Sequence, residues 1–322
     1  MLLYIYNKNK EKKRKVKCMS EILSVEIGNI TTSVISESMK TPPIVFESRT
    51  KKTEDKIIDS SIEYFEMDNQ KYIVGYGSYE NNIYKFDKEN FKQLLHYAIA
   101  KVAKSEKTKL ITSIPASQFN AFADEMKKVI LENKEVSVKI KEGQTKNITI
   151  EEVAILPEGY SIFKTTPKHN LISKARTIII DIGGGTVELI EFDEDGKYVD
   201  GDSINNEGLL ALFDKAQLDI QVKKRKMLKI EEVRKFLDGK LNILGMDNYD
   251  SSEVITNFGE ELINTIFGKK PYILDCNVIV VGGGASKFKG VIESKIPQAY
   301  FNTDITSLCS SNLKVAMAKW RR

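Results

Sequence analysis

The sequence predicts an α/β protein large enough for two domains, and three observations predict it. Each is an apolar strand that ends at a glycine turn. In TIIIDIGGGTVELI, Thr177 to Ile190, the run Ile178 to Ile180 reads as a strand covered on both faces, so Asp181 arrives at the mouth of a sheet. Gly183 to Gly185 then turn the chain into a second strand. In NVIVVGGGASKFKG, Asn277 to Gly290, an apolar strand meets Gly282, Gly283 and Gly284, and a helix is expected from near Ser286. In ILSVEIGNITTSV, Ile22 to Val34, a strand ends at Glu26 and Gly28 turns the chain into a Thr-rich strand. The 322 residues, 41% of them hydrophobic, suffice for two domains that each hold a core.

The turns carry the chemistry. Glycine lacks a Cβ, so its backbone can take positive φ and bring several N–H groups close to an anion, phosphate being the obvious candidate. An aspartate beside that anion suits a hydrated Mg²⁺, which prefers oxygen ligands and keeps several of its waters. One glycine-rich hairpin after a core strand can be purely structural. Three in one chain, with neither G-x-G-x-x-G nor GxxxxGK[ST] among them, argue against a single dinucleotide or P-loop unit.

The remaining elements follow in order. After the Gly28 turn, a Lys-rich stretch from Lys40 to Tyr84 alternates apolar and polar residues at 61–67 and 71–75 around the turn 68–70, a hairpin in a small inserted subdomain. Phe91, Leu94, Leu95, Ala98 and Val102 recur at helical spacing. A core strand at 109–114 stops at Pro115, Ser117 is the expected N-cap, and a helix runs from Phe119 to Leu131. The pair 135–140 and 147–156 is joined by a turn at 142–146, and its second strand runs into Pro157, Glu158 and Gly159. Beyond the polar link 164–174, the Asp181 hairpin closes at DEDGK, and Gly208 precedes a helix with Leu209, Leu212 and Phe213 on one face. Residues 220–250 form a second insert of undetermined form, Ser252 to Phe267 a helix, and Leu308 to Trp320 a closing helix.

The order of the three glycine segments resembles the phosphate 1, phosphate 2 and adenosine segments of the actin, sugar kinase and heat-shock chaperone ATPase superfamily, from Ile22 to Met317. The resemblance implies two actin-like (ribonuclease H-like) domains facing a cleft that takes ATP, with GTP as the alternative, together with Mg²⁺. Its expected division is a basic extension at 1–20, domain I at 21–170 with an insert at 38–87, and domain II at 171–322 with an insert at 215–250. The chain looks most like ParM-like (StbA/Alp-type) plasmid-segregation proteins: in length, in Pro157–Glu158, in the G-D-S of Gly201 to Ser203, in V-G-G-G from Val281, and in the helix after AYFNTDITSL. Exopolyphosphatases share the string DIGGGTVEL, which keeps a polyphosphate or guanosine-pentaphosphate phosphohydrolase as one alternative and a bacterial cytoskeletal or cell-division actin homologue as another.

Carried over residue by residue, the likeness assigns Gly28, Gly184, Gly185 and Thr186 to the phosphates and Gly208, Gly283 and Gly284 to the nucleoside, with Asn29, Thr31, Gly183 and Gly282 also nucleotide-binding. Asp181 and, through water, Glu26 would hold the metal. Asp181 and Glu158 are the catalytic pair, Glu158 orienting the attacking water for roughly 10²-fold to 10⁴-fold in rate. The chain departs from the pattern at Glu26, where aspartate is usual, and at Ser33, where ParM-like proteins often carry lysine. The implied activity is ATP hydrolysis coupled to filament dynamics, the partners being the chain itself and a DNA-binding adaptor at a centromere-like site.

Composition excludes other classes. Cys18, Cys276 and Cys309 lie far apart without a CxxC pair, against a zinc site or a disulfide framework, and a reducing cytoplasm is the expected compartment. His96 and His169 are the only histidines, and His96 falls in a helical pattern as a packed or surface side chain. The net charge of +4 draws on the run 8–17, read as a solvated tail, and Met19 after it is an alternative start to Met1. MLLYIY is too short to span a membrane, and the tail Lys314 to Arg322 offers only a weak amphipathic anchor. The basic run 222–229 is flanked by acidic residues, so neither strong direct DNA binding nor membrane binding is expected.

Overall fold

The structure, a computed structural model, describes residues 20–321 apart from 81, 83, 142 and 144. The extension before Ser20 with its alternative Met19 start, two residues of the expected 142–146 turn and Arg322 lie outside the described residues.

The first hairpin pairs β1 (Glu21–Ile27) with β2 (Thr31–Ser36), and the Gly28 N–H closes its turn on the Thr31 carbonyl at 3.0 Å. Then come β3 (Ile44–Glu47), β4 (Thr50–Thr53), β5 (Tyr64–Met67) and β6 (Gln70–Val74). α1 (Phe91–Val102), β7 (Lys107–Ile114), α2 (Phe119–Glu132), β8 (Glu135–Ile140), β9 (Thr145–Pro157) and the short α3 (Tyr160–Thr165) complete this half. Among the described residues its strands form one sheet in the order β3-β2-β1-β7-β9-β8-β5-β6-β4.

Within the expected insert at 38–87, the strands extend the main sheet at both edges: β3 pairs with β2 and β5 with β8. Packing explains the union: fully buried Phe65 stacks on Tyr97 of α1 with centroids 4.5 Å apart, so the insert shares the first domain's core. His96 is buried in the same helix, its ring nitrogens 2.8 and 2.9 Å from the Lys92 and Asn133 carbonyl oxygens.

The second half holds β10 (Thr177–Ile182), β11 (Thr186–Phe192), β12 (Tyr198–Asn205), α4 (Leu209–Lys224), α5 (Ile230–Leu237), α6 (Ser252–Lys269), β13 (Asn277–Val281), α7 (Lys289–Lys295), β14 (Ala299–Phe301) and α8 (Ser307–Trp320). Its sheet runs β12-β11-β10-β13-β14, with β10 and β13 parallel so that Asp181 stands beside Val281 at the same end. The expected 215–250 insert is the end of α4, then α5 and an irregular loop, with Val233 and Met246 buried in the core that also holds Leu262 of α6.

Three local expectations change. The helix expected near Ser286 begins at Lys289, because Gly284 is pinned in a turn by its N–H bond to the Ile182 carbonyl at 3.0 Å. Ser117 does not cap α2; its hydroxyl reaches Ser203 at 2.6 Å, across to the second domain. The closing helix, expected within 171–322 as part of domain II, returns to the first domain: Leu313 and Ala316 pack on Ile22 and Ile111. Among the described residues no helix is long and apolar enough to cross a membrane.

Candidate functional site

The two glycine hairpins meet tip to tip. Ile30, from the β1–β2 turn, is buried in the second domain's core with Ile178, Ile180 and Leu189. A Cβ on Gly184 would stand 2.8 Å from Ile30 Cγ1, so a side chain there would force the turns apart. Behind this contact, the Leu209 and Leu210 N–H groups at the start of α4 donate to the Gly183 and Gly184 carbonyls at 3.0 and 2.8 Å. These bonds satisfy helix N–H groups that have no partner within the helix. Gly282 has φ +86°, and a Cβ there would lie 2.4 Å from Asp181 Oδ1. Glycine alone lets the β13 turn come up against the β10 aspartate.

The turns enclose a cleft of about 560 Å³ between the domains, a size suited to a nucleotide. Glu26, Gly28, Asn29, Thr31, Glu158, Asp181, Gly183, Gly184, Thr186, Gly282 and Gly283 line it, and Gly185 lines a smaller hollow continuous with the same turns. Two assigned residues do not border the cleft. Gly208 packs on the backbone of Gly184, where a Cβ would come within 2.6 Å of the carbonyl oxygen, and Gly284 packs on Ile182, within 2.2 Å of Cγ2. Both glycines allow close backbone approach, and Leu209, Phe213, Leu237, Asp238, Ser286 and Lys287 also line the cleft.

At the floor, four strand ends deliver carboxylates around one ammonium. Lys85, in a short turn at the end of the insert, donates from Nζ to Glu158 Oε1 at 2.5 Å and to the Ser113 carbonyl at 2.9 Å, and stands 3.7 Å from Glu26 Oε2. Glu26 also accepts from the Ser113 hydroxyl and the Asn312 amide, each at 2.6 Å. Glu188, opposite Asp181 in the β10–β11 register, accepts from Ser203 Oγ at 2.6 Å and from the Ala116 N–H at 3.1 Å, while its Oε1 is buried without a partner among the described residues.

Burial dominates the electrostatics. It pushes Asp181 up to about 7, helped by the charges of Glu158 and Glu26, and Glu188 up to about 8, helped by Glu158. Burial also raises Glu26 against the pull of Lys85. Desolvation works against the Lys85 charge, but Glu158 and Glu26 outweigh it and hold the ammonium protonated above its ordinary range. Lys88, hydrogen-bonded to the Asn29 side chain, is lowered to about 8 by burial and by Lys85.

Sequence reasoning did not single out Lys85, Lys88, Glu188, Ser113 or Asn312. Glu188 was open to detection as a carboxylate inside the apolar run TVELI. Lys85 and Asn312 carried no local signal, since only the fold brings them to Glu26.

Residues 24–160 match a protein-family model described as "Actin like proteins N terminal domain". Among solved structures, an archaeal actin homologue in complex with ADP superposes with a TM-score of 0.77 at 17% identity, covering 93% of this chain and 99% of that one. A 15-stranded ParM filament from Clostridium botulinum gives 0.76 at 16% identity over 93% and 99%. An Alp12 filament gives 0.67 at 18% over 94% and 99%. Among curated proteins, none matches the sequence. The architecture is therefore the actin-like α/β fold.

Proposed function

From the actin-like fold, matched in sequence over residues 24–160, we propose that this chain is an ATPase that polymerises into nucleotide-dependent filaments and segregates plasmid or other replicon DNA through an adaptor. The observation that carries the reading is the floor of the cleft, where Glu26 and Glu158 pair with Lys85, and Asp181 and Glu188 share the same lining beside two abutting glycine turns. Backbone N–H groups of the Gly28 and Gly183–Thr186 turns cradle the phosphates of ATP, with GTP as the alternative. Burial and like-charged neighbours hold Glu26, Asp181 and Glu188 towards their neutral forms, and a hydrated cation bound there would favour their ionised forms. Among the described residues no three carboxyl, imidazole or thiol groups are placed to ligate a metal ion directly, so the donor set fits an ion that keeps its own waters, held through Asp181 and Glu26. Mg²⁺ there would neutralise charge on the transferring phosphate.

The protein's own groups do the rest. Glu158 orients the attacking water and takes its proton, while Lys85 fixes the carboxylate's position. Closure of the domains on the nucleotide favours a polymerising conformation, and hydrolysis shifts the filament towards disassembly. The ParM and Alp12 filaments, polymers of proteins that share this fold, support self-assembly; the adaptor role rests on the ParM-like likeness of the sequence.

Light scattering with ATP, GTP and no nucleotide tests the proposal. Scattering should rise above a critical protein concentration with a nucleoside triphosphate and decay as it is consumed. No polymer under any nucleotide would sink the filament claim, and phosphate release independent of protein concentration would favour a monomeric phosphohydrolase.

A further inference from the structure

Charge pairs bridge the two domains at the edge of the cleft. The first domain contributes Glu47 at the end of β3, Arg49 just before β4, and Tyr79; the second contributes Glu231 and Arg234 of α5. Arg234 Nη1 pairs with Glu47 Oε1 at 2.9 Å and donates to the Tyr79 hydroxyl at 3.0 Å. Arg49 answers in the opposite sense: it pairs with Glu231, lies 3.3 Å from Glu47 Oε2, and holds its guanidinium carbon 4.5 Å over the Tyr79 ring. Each domain therefore gives the other an arginine and a carboxylate, packed about one aromatic ring.

We propose that this clasp gates the cleft and sets the rate at which a nucleotide enters and leaves. The inference rests on the nucleotide reading above. Arg234 belongs both to the clasp and to the wall of the cleft, so the pairs that join the domains also close the cavity. Isolated surface ion pairs contribute little, but here Arg49 is 7% exposed and the charges are linked in a network. The same burial makes the clasp releasable. Arg49 Nε is enclosed without a hydrogen-bond acceptor, a desolvation cost that opening would relieve.

The test is stopped-flow release of a fluorescent ATP analogue, chased with unlabelled ATP, from the full chain and from Glu231→Gln and Glu47→Gln, neither of which lines the cleft. Both variants should release roughly five- to fiftyfold faster, as expected when one partner of a partly desolvated charge pair is lost. Uptake should accelerate as well, so that affinity changes less than either rate. A folding defect would weaken binding without speeding uptake. Because the pairs share a network, the double variant should gain less than the product of the two single effects. Arg49→Lys, which keeps the charge and loses the planar fork, serves if a glutamine variant does not fold. Wild-type release and uptake rates in the folded variants overturn the gate alone. A wild-type chain that binds no ATP analogue overturns the nucleotide reading and the gate with it.

Discussion

Lys85 Nζ stands 2.5 Å from Glu158 Oε1, joining the turn that ends the insert to the residue that follows β9. The pair gives the proposed water-orienting carboxylate a fixed place at the cleft floor. Glu158→Ala should slow phosphate release by roughly 10²-fold to 10⁴-fold, the range of a lost general base, while leaving polymerisation largely intact. Lys85 would keep Glu26 at 3.7 Å, so the variant should fold. Unchanged hydrolysis, measured as phosphate released per filament subunit, rejects the assignment. Lys85→Met is different in kind, since it strands buried carboxylates and should cost about 3–5 kcal/mol in denaturant unfolding.

The glycine turns make a second prediction. Gly184→Ala places a methyl 2.8 Å from Ile30 Cγ1, so the domains must part and nucleotide affinity should fall about tenfold, near 1.4 kcal/mol. Ile30→Ala in the same chain removes the clashing carbon and should restore part of the loss in a binding titration. Gly282→Ala should cost about 1–3 kcal/mol of stability through its positive φ alone, before its clash with Asp181.

The raised carboxyls fix a pH dependence. Asp181 titrates near 7 and Glu188 near 8 in the fold, against ordinary values of 3.8 and 4.5, so the folded protein keeps protons that the unfolded chain has released. Their contribution to stability is full below those ordinary values and is lost as pH rises through 7 and 8. In chelator, the melting temperature should fall from about pH 4.5 to about pH 8 and level off above that, and Asp181→Asn should flatten the decline. A decline of the same steepness in Asp181→Asn would refute the assignment to this group.

Phe65 tests the continuity of the first sheet. Phe65→Ala removes a fully buried ring stacked on Tyr97 and should cost about 3–5 kcal/mol, seen as one cooperative transition of the whole first domain. A separate early transition confined to the insert would contradict a shared core.

The strand–turn–strand units were legible because their signals are local: a β-branched run, a terminal acid, then glycines. Glu26, Glu158 and Asp181 could be placed for the same reason, each ending an apolar strand. What escaped detection was set by long-range pairing. No pattern near Lys85 says that its turn packs beneath β1, and the alternation around Phe65 is the same whether its strand joins the main sheet or a separate one. At Gly208 and Gly284 the need for close backbone approach looks the same in sequence whether the neighbour is a ligand or the protein itself.

Ile30 belongs by chain to one domain and by packing to the core of the other. It acts as a peg in a socket, fixing the spacing of the two turns at that point. Under the proposed closure on a nucleotide, displacement would be smallest beside this peg and larger at α5 and β3, which meet away from it.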